Sequence, residues 1–249
     1  METIDVFSSK AEKYAKYRWD YAPQAIRTIF DVTQVSHQSS VADIGSGTGI
    51  LTKHFIGQVK QVFAIEPNAG MRRLAIRALG TYPSCHIIDG RAEATMLPDH
   101  SVDLITVAQA IVWFEPQPTK TEFLRILKPG GWLAILRNYG TDQDVSEALE
   151  KITPTETDTL TLMKGIDTQK SFYYGNDDYL KQTFEFTMQD TWEEFIGGIS
   201  TASYVPDEGS PLYADFECGA KKIFDRFSTG GLLILHGVTE LCLGQIEEF

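Results

Sequence analysis

Cysteine is scarce in this chain of 249 residues, and no apolar run is long enough to span a bilayer. The three cysteines, at positions 85, 218 and 242, are odd in number and far apart, which argues against a disulfide framework and a metal cluster. The first residues also lack the basic and then apolar pattern of a secretory signal. We therefore expect a cytoplasmic protein with neither a bound metal nor a membrane partner.

Positive charge is in deficit as well. The chain has 22 Lys and Arg against 34 Asp and Glu, which gives a formal net charge of -12. This charge repels a phosphate backbone, which argues against nucleic acid as a substrate. The length suits one α/β domain with an added lobe, and we expect a monomer or homodimer that acts on a small molecule.

Three alternate glycines, Gly45, Gly47 and Gly49, follow the apolar run 41–44 and precede a helix-like pattern at 50–57. Glycine lets the backbone approach a ligand closely because it has no Cβ, and a helix N-terminus presents unpaired N–H groups. A strand, a glycine turn and a helix in this order predict a nucleotide-type cofactor site. The spacing is G-x-G-x-G, whereas dinucleotide-binding proteins carry G-x-G-x-x-G.

Glu66 ends a second strand-like run and lies 21 positions after Gly45. An acid about 20 residues after the first glycine binds ribose hydroxyls in nucleotide-binding folds. The same two features fit an NAD-dependent oxidoreductase, although the missing x-x-G step argues against one. The plain alternative is a turn made by glycines alone, with Glu66 exposed to solvent.

Short apolar strands alternate with helices along the first half of the chain. We predict two short N-terminal helices within 10–30, broken at Pro23, then strands at 40–44, 62–65, 85–88, 102–107 and 132–137 and helices at 50–57, 69–79 and 119–127. This alternation is typical of an α/β fold with a doubly wound parallel sheet. The alternation ends in a helical insertion at 139–179, after which we predict strands at 179–189 and 231–245 and helices at 191–200 and 212–227.

Four sequence blocks, in order, resemble those of a known family. They are Asp-Ile-Gly-Ser-Gly-Thr-Gly at 43–49, Ala-Ile-Glu-Pro-Asn at 64–68 with Met71, Asp-Leu-Ile-Thr-Val-Ala-Gln-Ala at 103–110, and Phe-Leu-Arg-Ile-Leu-Lys-Pro-Gly-Gly at 123–131. On these blocks the chain resembles the class I S-adenosylmethionine (SAM)-dependent methyltransferases of the type 11 family, in a small-molecule group similar to trans-aconitate methyltransferases. The resemblance covers 41–138 and extends more weakly to 7–18.

The resemblance implies a Rossmann-like, mostly parallel sheet of seven strands with a C-terminal antiparallel hairpin, a helical cap and SAM as the cofactor. Residues 1–138 would hold the N-terminal helices and the SAM-binding core. The segments 139–180 and 190–230 would form the substrate-binding cap, and 181–189 with 231–249 would complete the sheet. The cap would lie above the C-terminal edge of the strands, where open α/β sheets bind ligands.

The resemblance also assigns the parts of SAM to residues. The glycine turn would hold the adenosyl and methionyl parts through Gly45, Ser46, Gly47 and Gly49. Asp43 would bind the methionyl ammonium directly or through water, and Glu66 would bind the ribose hydroxyls.

Other residues would surround the adenine and the two ends of the methionyl part. The adenine would contact the residues that follow the second and third strands, namely Pro67, Met71, Arg91, Ala92 and Glu93. Ala108 and Gln109 would lie beside the sulfonium. Tyr14 and Arg18 would clamp the cofactor carboxylate, because arginine binds carboxylates through two parallel hydrogen bonds.

Methyl transfer is an in-line displacement that needs no covalent nucleophile from the protein. Proximity alone can lower the activation barrier by roughly 7–11 kcal/mol. No general base is evident: Val112 stands where many relatives have His, and Glu115 is either a base or an exposed loop acid. A site without a base fits an acceptor that is already anionic, such as a carboxylate. Trp113, Phe114 and Tyr204 are candidates for the wall of an apolar acceptor pocket. A SAM-binding protein without turnover is the remaining alternative.

Overall fold

Seven strands and the helices around them make up the fold in the computed structural model, which describes residues 10–153, 166–175 and 177–247. The strands are β1 Ser40–Ile44, β2 Gln61–Ile65, β3 Cys85–Ile88, β4 Val102–Ala108, β5 Leu127–Gly140, β6 Leu180–Asp190 and β7 Leu233–Gln245. The described helices are α1 Ala11–Tyr17, α2 Pro23–Thr33, α3 Ala69–Leu79, α4 Pro116–Ile126, α5 Gln143–Ile152, α6 Ile166–Tyr174, α7 Trp192–Ile199 and α8 Pro211–Phe227.

The strands form one sheet in the order β3-β2-β1-β4-β5-β7-β6. Strands β1 to β5 pair in parallel, while β7 lies antiparallel between β5 and β6. This confirms the predicted α/β fold with its C-terminal antiparallel strands. The strand order reverses between β1 and β4, and open α/β sheets bind ligands at the carboxyl ends of the strands beside such a point.

Three groups of buried apolar side chains hold the layers together. One group packs α4 and α6 on the sheet through Phe123 and Tyr173, and another packs α2 on the opposite face through Ile29. A third group joins α5, α7 and α8 through Val145 and Phe216. The predicted division into core and cap stays a prediction.

The predicted helix at 50–57 was wrong. The structure has a single 3-10 turn at Thr52–His54 instead, with the N–H of His54 bonded to the carbonyl of Leu51. The hydroxyl of Thr52 donates to Asp43, and a side-chain bond of this kind competes with regular helix formation. Gly57 at φ 77° then turns the chain out of the segment.

The N-terminal helices match the prediction. Pro23 occupies the first turn of α2, where the backbone N–H groups have no partner within the helix, so the missing N–H of proline costs no hydrogen bond. The predicted insertion at 139–179 contains α5 and α6, and its residues 154–165 lie outside the described part, as do residues 7–9 of the N-terminal resemblance. In the described ranges, no helix combines the length and apolar character that crossing a membrane requires. The cytoplasmic location stays a prediction.

Candidate functional site

The three glycines after β1 adopt a backbone that other residues rarely use. Their φ values are 68° at Gly45, 59° at Gly47 and 89° at Gly49. A Cβ on Gly45 would lie 2.5 Å from the Cβ of Ala110, so any side chain at this position would clash with Ala110. The N–H groups of Gly45 and Ser46 donate to the carbonyl of Ile65, which holds the loop against the end of β2.

Asp43 lies beneath this loop and is completely buried. Its two carboxylate oxygens accept hydrogen bonds from Thr52 at 2.6 Å and from Thr106 at 2.9 Å. Burial raises the pKa of the Asp43 carboxyl to about 6. These bonds join Asp43 to β4 and to the segment after the loop, and Asp43 is not among the residues that line the cavities described below. Its predicted contact with the methionyl ammonium, directly or through water, stays a prediction.

A first cavity of about 530 Å³ opens in front of the glycine loop, at the carboxyl ends of β1, β2 and β4. Most of the predicted cofactor residues line it, namely Tyr14, Gly45, Gly47, Glu66, Pro67, Met71, Arg91, Ala92, Glu93, Ala108 and Gln109. The predicted acceptor residues Trp113 and Phe114 line it as well. Gly49 and Ser46 belong to the loop behind the wall, and the buried hydroxyl of Ser46 has no hydrogen-bond partner.

Glu66 joins the glycine loop to the start of α3. One of its oxygens accepts from the N–H of Gly47 and the other from the N–H of Asn68, each at 2.8 Å. Burial raises the pKa of the Glu66 carboxyl, and the two N–H donors oppose that rise. A carboxylate has about four acceptor positions, so both oxygens keep capacity for ribose hydroxyls.

Asn68 was missed as a site residue, although it lies within the quoted block 64–68. Its side chain caps α3 by accepting from the N–H of Met71 at 2.9 Å, which is a common role for Asn at a helix start. Ala110 and Glu115 also line the first cavity without having been predicted as binding residues. The N–H of Glu115 donates to Glu93 at 2.9 Å, so the loop after β3 is tied to the start of α4.

A second cavity of about 300 Å³ lies among α5, α7, α8 and the end of β5. Arg18 and Tyr204 line this cavity and not the first one. Arg18 donates to the hydroxyl of Thr201 at 3.2 Å, and its guanidinium lies 5.4 Å from the ring centre of Tyr14. The predicted pair of Tyr14 and Arg18 is thus divided between the cavities, as is the predicted aromatic wall.

Gln109 lines both cavities and is the one residue that does so in the described ranges. It follows β4 directly and has a φ of 60°, in the left-handed region that non-glycine residues enter at a cost. Its backbone N–H donates to Leu136 at 3.1 Å and its side-chain amide donates to Asn138 at 2.8 Å. The strained backbone is held by β5 on both sides, which fixes the amide at the junction of the cavities.

The residues of the first cavity fit SAM by their chemistry. Gly47 lines the cavity, and a Cβ there would have only the ring of Tyr14 near it, at 4.0 Å, so the glycine leaves space for a ligand. Glu66 offers acceptors for ribose hydroxyls, and Met71 offers an apolar surface. In the described part of the chain, no group of His, Cys, Asp and Glu is arranged to hold a metal ion.

Comparison with solved structures defines the class of fold. A candidate type II methyltransferase from Anaeromyxobacter dehalogenans aligns with 94% of this chain and 100% of its own, with a TM-score of 0.63 and 20% sequence identity. The two chains share the Rossmann-like methyltransferase fold.

Comparison of sequences then gives the family. Residues 42–135 match the family described as a methyltransferase domain. An uncharacterized methyltransferase of Schizosaccharomyces pombe is 32% identical over 151 residues, which are 58% of this chain and 59% of the relative. One of Mycobacterium bovis is 34% identical over 132 residues, 53% of this chain and 51% of the relative. The chain spans little more than half the length of these relatives, and it carries a methyltransferase domain, as the four sequence blocks predicted.

Proposed function

We propose that this protein transfers the methyl group of SAM to a small-molecule acceptor bound in the second cavity. One observation carries the proposal: the cofactor-type cavity and a separate, mostly apolar cavity share the single residue Gln109 among the described residues. A methyl donor in one cavity and an acceptor in the other would meet there. The match of residues 42–135 to a methyltransferase domain supports the same chemistry.

The first cavity would hold the cofactor through the residues already described. The glycine loop would lie against the adenosyl and methionyl parts, Glu66 would bind the ribose and Met71 would cover the adenine. When bound, SAM supplies an activated methyl group on a sulfonium. Gln109, which follows β4, would border that group because it faces both cavities.

The second cavity supports a small molecule as the acceptor. Its volume of about 300 Å³ is at the lower end of the range for small-molecule sites. Helices α5, α7 and α8 form much of its wall, so an acceptor there would be held by several elements at once. Holding the acceptor in line with the methyl group is therefore the main contribution of the protein.

The junction offers an amide and no base. Gln109 does not titrate, and the buried Val112, three residues further along the chain, offers no proton acceptor either. Glu115 lines the first cavity, but its side chain is exposed and its N–H is used to bind Glu93. An acceptor atom that is already anionic needs no proton removed, so a carboxylate oxygen is the acceptor that this site favours.

Incubation with methyl-labelled SAM and fractionated small metabolites tests the proposal. We expect a labelled product heavier by one methylene than a metabolite in the fraction, formed by the purified protein. Glu66→Ala should reduce product formation and weaken binding of S-adenosylhomocysteine (SAH) at least tenfold, whereas the exposed Glu12→Ala should change neither. Tight SAH binding without any labelled product would favour a binding protein, and tight NAD binding in place of SAH would favour an oxidoreductase.

A further inference from the structure

Arg137 on β5 is a charged residue of the second cavity that sequence reasoning missed. It lies beside the junction, because Gln109 donates from its backbone to Leu136 and from its side chain to Asn138, the two neighbours of Arg137. Any ligand group that reaches Arg137 is thereby close to the border between the cavities. A residue near the carboxyl end of a sheet strand is a common place for a ligand contact.

The hydrogen-bonding capacity of Arg137 is incompletely used. Its Nε is buried and has no hydrogen-bond partner, and a buried donor without an acceptor carries a free-energy penalty. The nearest carboxylate is Glu240, at 3.6 Å from Nη2, which is too long for a hydrogen bond. The guanidinium lies over the ring of Tyr139, 4.9 Å from its centre, and the ring holds it at the cavity wall.

Glu240 does not cancel the charge of Arg137. This buried carboxylate is in direct contact with the ammonium of Lys170 and lies 3.6 Å from that of Lys181. Three cations therefore lie beside this one carboxylate, with Lys170 in the closest contact. Arginine with an incomplete set of partners suits an incoming carboxylate, because its N–H fork matches two carboxylate oxygens.

The rest of the second cavity is mostly apolar, and its wall also carries the acids Asp142 and Asp190 and the cation Arg18. Trp19, Leu149, Phe195, Phe216 and Leu235 supply apolar surface. Asp142 binds the backbone N–H of His236 at 2.6 Å and the ring Nδ1 of the same residue at 2.9 Å. His236 lies four positions before Glu240 on β7, and Glu240 is the residue that pairs with Arg137. Four residues of a strand span about 13 Å, so His236 and Asp142 lie well away from Arg137.

We propose that Arg137 binds the carboxylate that is methylated, and that the acceptor is a monocarboxylic acid with an apolar body. This inference rests on the proposed function and names its substrate class. Asp142 and Asp190 line the same cavity and would repel a second carboxylate, so we expect polycarboxylic acids to bind more weakly than monocarboxylic acids. An apolar chain or ring instead lies against the cap helices.

The chemistry balances without a base. A carboxylate oxygen forms the new bond to the methyl carbon while the carbon–sulfur bond breaks and its electron pair stays on sulfur. The sulfonium becomes a neutral thioether, the carboxylate becomes a neutral ester, and no proton moves. Methylation removes the charge that Arg137 holds, so the ester leaves more readily than the acid.

Binding of simple acids to the intact chain tests the proposal by calorimetry. The probes are octanoate and phenylpropanoate, with the uncharged octanamide and the dicarboxylate octanedioate as comparisons, each with and without SAH. We expect the wild-type chain to bind at least one of the two monocarboxylates at least tenfold more tightly than octanamide and octanedioate. The proposal is overturned if neither monocarboxylate binds, or if octanamide or octanedioate binds equally well.

Variants assign the effect to Arg137. Arg137→Gln should weaken monocarboxylate binding at least tenfold, Arg137→Lys should recover part of it, and octanamide should bind equally to all forms. Arg27→Gln, on the exposed side of α2, removes the same charge without touching either cavity and should change nothing.

SAH affinity within twofold of wild type shows that each variant is folded. Unchanged monocarboxylate binding by Arg137→Gln would refute the assignment. Failure of SAH to bind the wild-type chain would instead refute the proposed function. The two failures can be distinguished because binding of the acids is also measured without SAH.

Discussion

Gln109 shows how a single residue can carry backbone strain at a functional junction. The left-handed region costs an ordinary residue roughly 1–2 kcal/mol, whereas glycine enters it freely. The strain persists because two hydrogen bonds to β5 hold the residue in place. No sequence pattern signals such a backbone, so the junction was not predictable, although the presence of Gln109 in the cofactor region was.

Comparing Gln109→Gly with Gln109→Ala isolates this strain, because both variants lose the same side-chain hydrogen bond. Glycine is usually about 0.5–1 kcal/mol less favourable than alanine in a regular element. Here we expect the reverse, with the glycine variant about 1 kcal/mol more stable to urea unfolding. An alanine variant as stable as the glycine variant, or more stable, would show that the backbone is unstrained.

Asp43 predicts a pH dependence of stability. Its native pKa of about 6 exceeds the ordinary value of 3.8, so the folded state binds the proton more tightly than the unfolded state. The contribution of this carboxyl to the free energy of unfolding therefore falls as pH rises from about 4 to about 6, by about 3 kcal/mol, since each pKa unit corresponds to about 1.4 kcal/mol. The cause is burial of a charge that the two threonine hydroxyls only partly compensate.

Asp43→Asn removes that titration. We expect the stability of wild type relative to Asp43→Asn to decline between pH 4 and 6 and then to level off, as measured by urea unfolding at each pH. The exposed Asp31→Asn serves as the control and should follow wild type throughout. A constant difference between wild type and Asp43→Asn across this range would contradict the raised pKa.

Among the elements, helix α1 contributes residues to the walls of both cavities. Tyr14 lines the first cavity, while Tyr17 and the following Arg18 line the second. The buried ammonium of Lys10 holds the start of α1 by donating to the carbonyls of Ala202 and Val205, at 2.6 and 2.5 Å. The position of α1 therefore depends on a contact with the segment after α7.

Lys10→Met should release this contact, because it keeps an unbranched side chain and removes the donor of two hydrogen bonds. We expect faster amide hydrogen exchange in α1 and about tenfold weaker SAH binding, a loss of about 1.4 kcal/mol. Lys60→Met changes an exposed lysine away from α1 and should leave both measurements unchanged. Unaltered exchange in α1 would show that Lys10 does not anchor the helix.

The elements also show how much of the structure can be predicted from the sequence. The strands of the parallel sheet were predictable because apolar runs such as 41–44 are short and are bounded by turn residues. The segment 50–57 was not, because its apolar spacing is helical while the bond from Thr52 to Asp43 tightens it into a 3-10 turn. Of the predicted acceptor residues only Tyr204 lines the second cavity, because the walls of this cavity come from segments that are distant in sequence.

At the scale of the whole molecule, both cavities lie at the edge of the sheet where the parallel strands end. The loops after β1, β2 and β4 form the first cavity, and the end of β5 contributes to the second. A ligand at this edge contacts several strands at once and binds only the folded chain, so binding should increase global stability. Because the spacing of the glycines is G-x-G-x-G and the matched domain is that of methyltransferases, the stabilising ligand should be a SAM analogue.

Thermal unfolding provides the measurement. At one hundred times its dissociation constant, a ligand that binds only the native state adds about 2.7 kcal/mol. For a chain of this size, each kcal/mol raises the midpoint by about 2–4 °C, so we expect SAH to raise it by about 5–10 °C. NAD at the same concentration should leave the midpoint unchanged, and Glu66→Ala should reduce the shift caused by SAH. A shift produced by NAD and not by SAH would mean that the glycine loop holds a dinucleotide, because linkage requires the stabilising ligand to be the one that binds.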